Sequence, residues 1–128
     1  MVSLIDANVI IRFLVKENSE QYNKSIDIMH DIEDALLKVE ILSEVMMEVL
    51  FIMTKYYKAP LLDIVEDLKS ILLLDGVVNE NKYILIGTLN MMCDKNIDYV
   101  DALICTKSAL QGYGKISFDK DVMKKCEK

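Results

Sequence analysis

The chain has 128 residues, 52% of them apolar, and a net charge of −6 from 21 acidic and 15 basic residues. This length and composition predict a single folded domain over residues 1–128 and argue against an intrinsically disordered protein. No apolar run reaches the roughly 18–20 residues that cross a bilayer. Asp6 lies where the uninterrupted apolar region of a signal peptide would be. We therefore expect a cytoplasmic protein without a membrane segment.

Short apolar strands alternate with amphipathic helices along the chain. The stretch "MVSLID" is typical of a short buried strand, and "ANVIIRFLV" follows it with apolar residues at helical spacing. Ser19 and Ser43 are placed to cap the second and third helices. Further strands are predicted at "VEIL", "DGVV" and "KISF", and further helices at "LLDIVEDLKSILL", "NKYILIGTLNMMCDK", "YVDALICTKSALQGY" and "DKDVMKKCEK".

This alternation predicts an α/β fold, namely a three-layer α/β/α sandwich around a central, mainly parallel sheet of four to five strands. In such sheets, ligands bind beyond the carboxyl ends of the strands. Residues that directly follow strands are therefore the candidates for a functional site.

Acidic residues occupy these positions in four separate segments. Glu48 within "MMEVLF" and Asp101 within "YVDALI" interrupt apolar surroundings, which a solvated helix face explains poorly. The acids are Asp6 after the first strand, Glu44 and Glu48 on the helix after the second, Asp98 and Asp101 at the start of a later helix, and Asp119 after the fourth strand.

Several carboxylates in one site repel one another unless a cation is bound. Oxygen-only ligands suit Mg²⁺ or Mn²⁺, and the lack of histidine and cysteine ligands argues against zinc. A carboxylate-held Mg²⁺ can activate water to attack a phosphodiester without a protein nucleophile. Asp98 also has a simpler explanation, because aspartate is a preferred helix N-cap.

The cysteines and the histidine exclude other chemistry. Cys93, Cys105 and Cys126 are odd in number and widely spaced, so we expect reduced thiols and neither a disulfide framework nor a zinc site. His30 is the only histidine, and it lies on a predicted helix. Serine–histidine or cysteine–histidine catalysis therefore has little basis here.

The charges are distributed unevenly. Residues 27–48 contain seven acids and one base, whereas residues 107–128 contain six lysines and three acids. A basic C-terminal edge beside an acidic site suits a metal-dependent enzyme that acts on phosphates, although solvated helix faces account for most single lysines.

The stretches "LIDANVIIRFL", "MMEVLFIMTKYY", "YVDALI" and "ISFDKD", in this order, resemble the PIN-domain ribonucleases, notably the VapC-type toxins of prokaryotic toxin–antitoxin pairs. The resemblance covers nearly the whole chain. It implies a PIN-like fold, a Mg²⁺- or Mn²⁺-dependent endoribonuclease activity on RNA, and commonly a homodimer. For a toxin, it also implies an antitoxin protein that covers the site. Exposed apolar residues on the "IIRFL" and "LLDIVEDL" helices would be the candidate dimer interface.

The resemblance assigns catalytic, metal-binding roles to four acids of this chain. Glu48 is favoured for the helix-borne acid because an apolar run and an aromatic pair follow it, and Glu44 is its rival one turn earlier. The assigned acids are Asp6, Glu48, Asp101 and Asp119, and the supporting residues are Asn8, Ser117, Glu44, Asp98 and Asp121.

Two departures and two alternatives accompany this interpretation. Arg12 is the only arginine, so lysines would have to hold RNA, and the chain ends soon after the last helix, where many PIN domains add a strand. A non-catalytic PIN-fold module that binds RNA or protein is the main alternative. Aspartyl-phosphate enzymes are disfavoured, because position 8 is Asn where a dehalogenase-like phosphatase needs Asp, and no Asp follows the third strand as in a receiver domain.

Overall fold

A computed structural model describes residues 1–17 and 19–127, except for the side chain of Asp121. The chain forms two compact units, Met1–Glu80 (unit 1) and Asn81–Lys128 (unit 2). Within the described residues, no helix is both long enough and apolar enough to cross a lipid bilayer.

The sheet of unit 1 consists of two parallel strands, β1 (Val2–Leu4) and β2 (Lys38–Glu40). Their register places Ser3 opposite Val39. The expectation that the first strand is buried is wrong, because Val2 and Leu4 at its two ends are 52% and 65% exposed. Parallel pairing requires a long crossover between the strands, which the intervening helices supply.

The predicted third strand "DGVV" is reduced to one residue. Val77 forms an isolated parallel bridge with Val39, whose amide donates to the Gly76 carbonyl at 2.8 Å. Next to this bridge, the side-chain amide of Asn79 accepts from the Ile41 amide at 2.8 Å and donates to the Ile41 carbonyl at 2.7 Å. A buried side chain thus satisfies backbone groups that another strand residue would otherwise pair.

The helices of unit 1 begin largely where the sequence predicts. Ser19 caps the second helix by accepting from the Tyr22 amide at 3.1 Å, as predicted. Ser43 is not a cap, because Leu42 occupies the cap position without a side-chain bond. The second helix ends at Glu33, shortly before Ala35 adopts a left-handed conformation. The helices are α1 (Ala7–Val15), α2 (Glu20–Glu33), α3 (Ser43–Phe51), a π-helix (Ile52–Tyr56) and α4 (Leu61–Leu72).

The core of unit 1 lies where α1 packs on α2 and α3, and α3 packs on α4. Ile10 and Ile11 of α1 and Leu68 of α4 are buried, whereas Leu62 is 61% exposed. The helices "IIRFL" and "LLDIVEDL" therefore place most of their aliphatic residues in the protein interior. Leu62 stays exposed on the second of these helices, and the dimer interface predicted on these helices stays a prediction.

The described residues of unit 2 form three helices, α5 (Lys82–Lys95), α6 (Tyr99–Gln111) and α7 (Lys120–Cys126). They match the predicted segments, and α6 is followed by Gly112 at its C-cap, where the φ of 67° suits glycine. The predicted strand "KISF" is absent, because residues 113–117 are irregular and Ile116 and Phe118 are fully exposed. Among the described residues there are two strands and a bridge, fewer than the four to five predicted, although parallel pairing fits the α/β class.

Close contacts and a covalent bond hold the helices of unit 2 together. A Cβ atom added to Gly87 of α5 would lie 2.8 Å from the Thr106 methyl of α6, so the two helices approach closely there. Cys105 of α6 and Cys126 of α7 form a disulfide with a Cα–Cα distance of 5.1 Å. The expectation that these two cysteines are reduced is therefore wrong.

Candidate metal centre

Asp6 follows β1 and caps α1. Its Oδ1 accepts from the Ala7 amide at 2.9 Å, and its backbone carbonyl accepts from the Val9 amide at 3.2 Å. Aspartate is favoured there because its carboxylate satisfies an amide that lacks a partner within the helix. The carboxylate is exposed, so the chain bears no large cost for burying this charge.

Asn8 lies on the first turn of α1 and is exposed. It lines a cleft of about 290 Å³ between α1 and α2, together with Arg12, Gln21 and Lys24. Arg12 Nε donates to Gln21 Oε1 at 2.8 Å, which orients the only arginine of the chain across this cleft.

Glu44 and Glu48 share one face of α3, four residues apart, and both are exposed. The expectation that apolar groups surround Glu48 is therefore wrong. Its neighbours Val49 and Leu50 are buried because successive residues of a helix point in different directions. Glu44 and Glu48 both remain candidates for the helix-borne acid.

Asp98 and Asp101 meet at the start of α6. Asp98 caps the helix, and its Oδ1 accepts from the Asp101 amide at 2.9 Å. The cap predicted for Asp98 is confirmed. Asp101 is half-buried, one turn into the helix.

Asp119 and Ser117 form a local turn before α7. The Asp119 amide donates to Ser117 Oγ at 3.0 Å, and Asp119 Oδ1 accepts from the Val122 amide at 3.3 Å. Ser117 therefore contacts the backbone of the acid that it was predicted to support. The predicted supporting side chain of Asp121 lies outside the described residues.

Three of these carboxylates, Asp98, Asp101 and Asp119, interact within unit 2, and we call them the acid cluster. Burial raises the pKa of Asp101 above its usual value, and the negative charges of Asp98 and Asp119 raise it further. The positive charge of Lys125 acts in the opposite direction. A cation placed among these carboxylates would relieve their repulsion.

The donor set is chemically suited to a hard cation, since every predicted ligand is a carboxylate. Within residues 1–17 and 19–127, however, no three His, Cys, Asp or Glu side chains are arranged as a group that could hold a metal ion. The described carboxylates can therefore contribute ligands but do not form an assembled site.

Two features of unit 2 were not predicted from the sequence. The disulfide joins residues 21 apart, a separation that does not reveal which cysteines face each other. A cleft lined by Lys95, Lys124 and Lys125 lies in the same unit. The excess of lysines near the C-terminus was the available signal for this cleft.

The family model of the PIN domain matches residues 3–128. A search of curated proteins and a search of solved structures each found no significant match. The match covers essentially the whole chain and includes all of the predicted site residues.

Proposed function

Because the chain belongs to the PIN-domain family, we propose that it is a metal-dependent endoribonuclease that hydrolyses RNA phosphodiester bonds. Membership implies a nuclease-type fold, and PIN domains are commonly metal-dependent ribonucleases. The observation that supports the proposal most directly is the acid cluster, where burial raises the pKa of Asp101 and the negative charges of Asp98 and Asp119 raise it further. Repulsion of this kind is expected where carboxylates are kept together to bind a cation.

In this proposal Asp6, Glu48, Asp101 and Asp119 hold Mg²⁺ or Mn²⁺, with Glu44 as the alternative to Glu48. Bound Mg²⁺ or Mn²⁺ supplies charge stabilisation at the phosphate and activates water for attack on it. Asn8, Ser117, Asp98 and Asp121 support the four acids.

Helix capping explains how the chain orients these carboxylates. Asp6, Asp98 and Asp119 each accept a backbone amide hydrogen bond through Oδ1. These bonds restrict the side-chain rotamers. A capping carboxylate retains a second oxygen atom, which is sufficient for monodentate coordination.

Capping also supplies a clean test, because asparagine caps helices about as well as aspartate but lacks its charge. Asp6→Asn should keep the fold and lower RNA cleavage by at least about 100-fold, the upper range for residues one step removed from a metal. The assay is cleavage of mixed single-stranded and structured RNAs in Mn²⁺, Mg²⁺ or EDTA. Asp27→Asn, an exposed acid of α2, is the matched control. Full activity of Asp6→Asn would exclude Asp6 as a ligand.

The helix-borne acid can be identified in the same assay. We expect Glu48→Gln to abolish cleavage and Glu44→Gln to retain it. Both side chains are exposed on one face of α3 and neither supports the core, so both variants should fold. The reverse result would assign the role to Glu44.

Metal binding can be measured without RNA. Mg²⁺ should raise the melting temperature, because a ligand that binds only the folded state stabilises it by about 2.7 kcal/mol at about 100 times its Kd. Asp101→Asn should reduce the shift. An unchanged melting temperature in saturating Mg²⁺ and in Mn²⁺ would contradict a folded-state metal site.

One observation favours the alternative of a non-catalytic PIN-fold module that binds RNA or protein. The described residues contain no group of three side chains arranged for a metal. RNA binding in EDTA, without cleavage in any metal, would support this alternative.

We further propose that the protein acts in the cytoplasm as a homodimeric toxin that a small antitoxin protein inhibits. The support is the resemblance of its motifs to VapC-type toxins. Expression of the wild type should arrest growth, and expression of Asp6→Asn should not. Growth arrest by both proteins would argue against a toxin that acts through cleavage.

A further inference from the structure

A cleft in unit 2 is lined almost entirely by lysines. Lys95 lies at the end of α5, and Lys124 and Lys125 lie in the last turn of α7. Together with Glu127 they enclose about 460 Å³, and we call this cleft the lysine groove. It therefore forms where two helices end, from segments far apart in the sequence.

Lys125 and its neighbour Cys126 connect the lysine groove to the helix that carries the acid cluster. Lys125 lines the groove, and its Nζ donates to the Asn96 carbonyl at 3.4 Å. The next residue, Cys126, is bonded to Cys105 of α6, which lies one turn after Asp101, so the disulfide holds the groove beside the acid cluster. A polyanion that lies along the groove would therefore approach the acid cluster.

Helix dipoles offer a simpler reason for these lysines. Lysine is favoured in the last turn of a helix, where the carbonyl groups carry partial negative charge. That effect accounts for each lysine separately. It does not require Lys95, from a different helix, to line the same cleft as Lys124 and Lys125.

We propose that the lysine groove binds the phosphodiester backbone of RNA on one side of the bond to be cut. This inference rests on the proposed nuclease function and adds the surface that holds the substrate. Lysine ammonium groups are compact point charges that contact phosphates without the two-pronged geometry of arginine. Such contacts hold and position the backbone but carry no base information. The groove should therefore bind RNA of any sequence.

The test measures binding rather than cleavage. A labelled single-stranded uridine oligonucleotide is titrated with protein in EDTA at several salt concentrations. Each phosphate contact on a single strand contributes about 0.7 to the slope of log K against log salt. Replacing Lys95, Lys124 and Lys125 by glutamine should therefore reduce the magnitude of the slope by about 2.

A matched variant removes the same charge elsewhere in unit 2. The triple substitution of Lys82, Lys107 and Lys115 by glutamine should leave the slope near the wild-type value. Replacement of the three groove lysines by arginine should retain binding, and Glu127→Gln should strengthen it by removing a negative charge from the groove. Melting temperatures establish that each variant is folded.

The outcomes distinguish failure of the RNA-binding groove from failure of the proposed nuclease function. If the protein cleaves RNA with metal but both triple variants bind RNA equally, the groove is not the RNA-binding surface. The proposed nuclease activity would then still stand. A slope lowered only in the groove variant, without cleavage in any metal, would support the groove and contradict the nuclease. Absence of wild-type binding at low salt, or tighter binding to an acidic peptide than to the oligonucleotide, would also overturn the groove.

Discussion

The two units of this protein are stabilised in different ways. Unit 1 contains the parallel strands, and backbone lies close to backbone where Gly76 meets the carbonyls of Ile32 and Leu37. The described residues of unit 2 form three helices, where Gly87 of α5 lies close to the Thr106 side chain of α6 and a covalent bond joins Cys105 to Cys126. Substitutions that crowd the backbone should therefore damage unit 1 most, and changes to side chains or to redox conditions should affect unit 2.

The largest effect is expected in unit 1 from Gly76→Ala. An added Cβ would lie 2.4 Å from the carbonyl oxygens of both Ile32 and Leu37, and the Gly76 amide also bonds to Ile32 at 2.8 Å. Backbone atoms cannot move aside cheaply, so the free energy of unfolding should fall by about 3 kcal/mol or more. Urea denaturation measures the change. Gly114→Ala is the control, since nothing lies within 4 Å of its added Cβ and the effect should stay within about 0.5 kcal/mol.

Removal of the disulfide should have the next largest effect and should be confined to unit 2. The bond links residues 21 apart, and a loop of that size contributes about 3 kcal/mol in the chain-entropy account. Cys126→Ser should therefore lower the melting temperature of oxidised protein, and a reducing agent should lower that of the wild type. A reducing agent that affects Cys126→Ser as strongly as the wild type would contradict this assignment.

A smaller effect should follow from Gly87→Ala at the contact between α5 and α6. The added Cβ would lie 2.8 Å from the Thr106 methyl, and the branched side chain of threonine has little freedom to move. The clash should cost more than the roughly 1 kcal/mol that alanine gains over glycine in a helix. Thr106→Ser removes the methyl, so the double variant should be more stable than the sum of the single changes predicts.

The smallest effect expected is electrostatic and concerns Asp101. Its pKa is raised in the folded protein, first by burial and then by Asp98 and Asp119, so the folded state binds a proton more tightly than the unfolded state. Without divalent metal, the free energy of unfolding should fall as the pH rises from about 3.8 through the raised pKa, and stay lower above it. Asp101→Asn should remove this fall and slightly raise the melting temperature at neutral pH. Equal behaviour of Asp94→Asn, an exposed acid of α5, would contradict the explanation.

Local sequence signals predicted the helices well. The apolar spacing of "ANVIIRFLV" predicted α1 with its observed bounds, and Ser19 and Asp98 form the predicted caps. These signals work because a helix satisfies its hydrogen bonds within one segment. Strands depend on distant partners, and "KISF" has the alternating pattern of a strand but no strand conformation.

The sequence proposes the residues of the candidate site, which stay a prediction, but it does not show their environment. The apolar neighbours of Glu48 in the sequence suggested burial, whereas the helix turns the side chain of Glu48 to the solvent. Nor did the sequence show that Lys95 shares a cleft with Lys125, or that Cys105 faces Cys126. These relations arise from helix packing, which spacing along one segment does not encode.

The disulfide also closes a covalent ring that includes the exposed segment 113–119. Irregular, exposed chain is the preferred substrate of proteases. A protease that cuts between α6 and α7 would produce two fragments that stay joined through Cys105 and Cys126. The cut protein would migrate as a single band on a denaturing gel without reductant, and α7 would separate from it only after reduction.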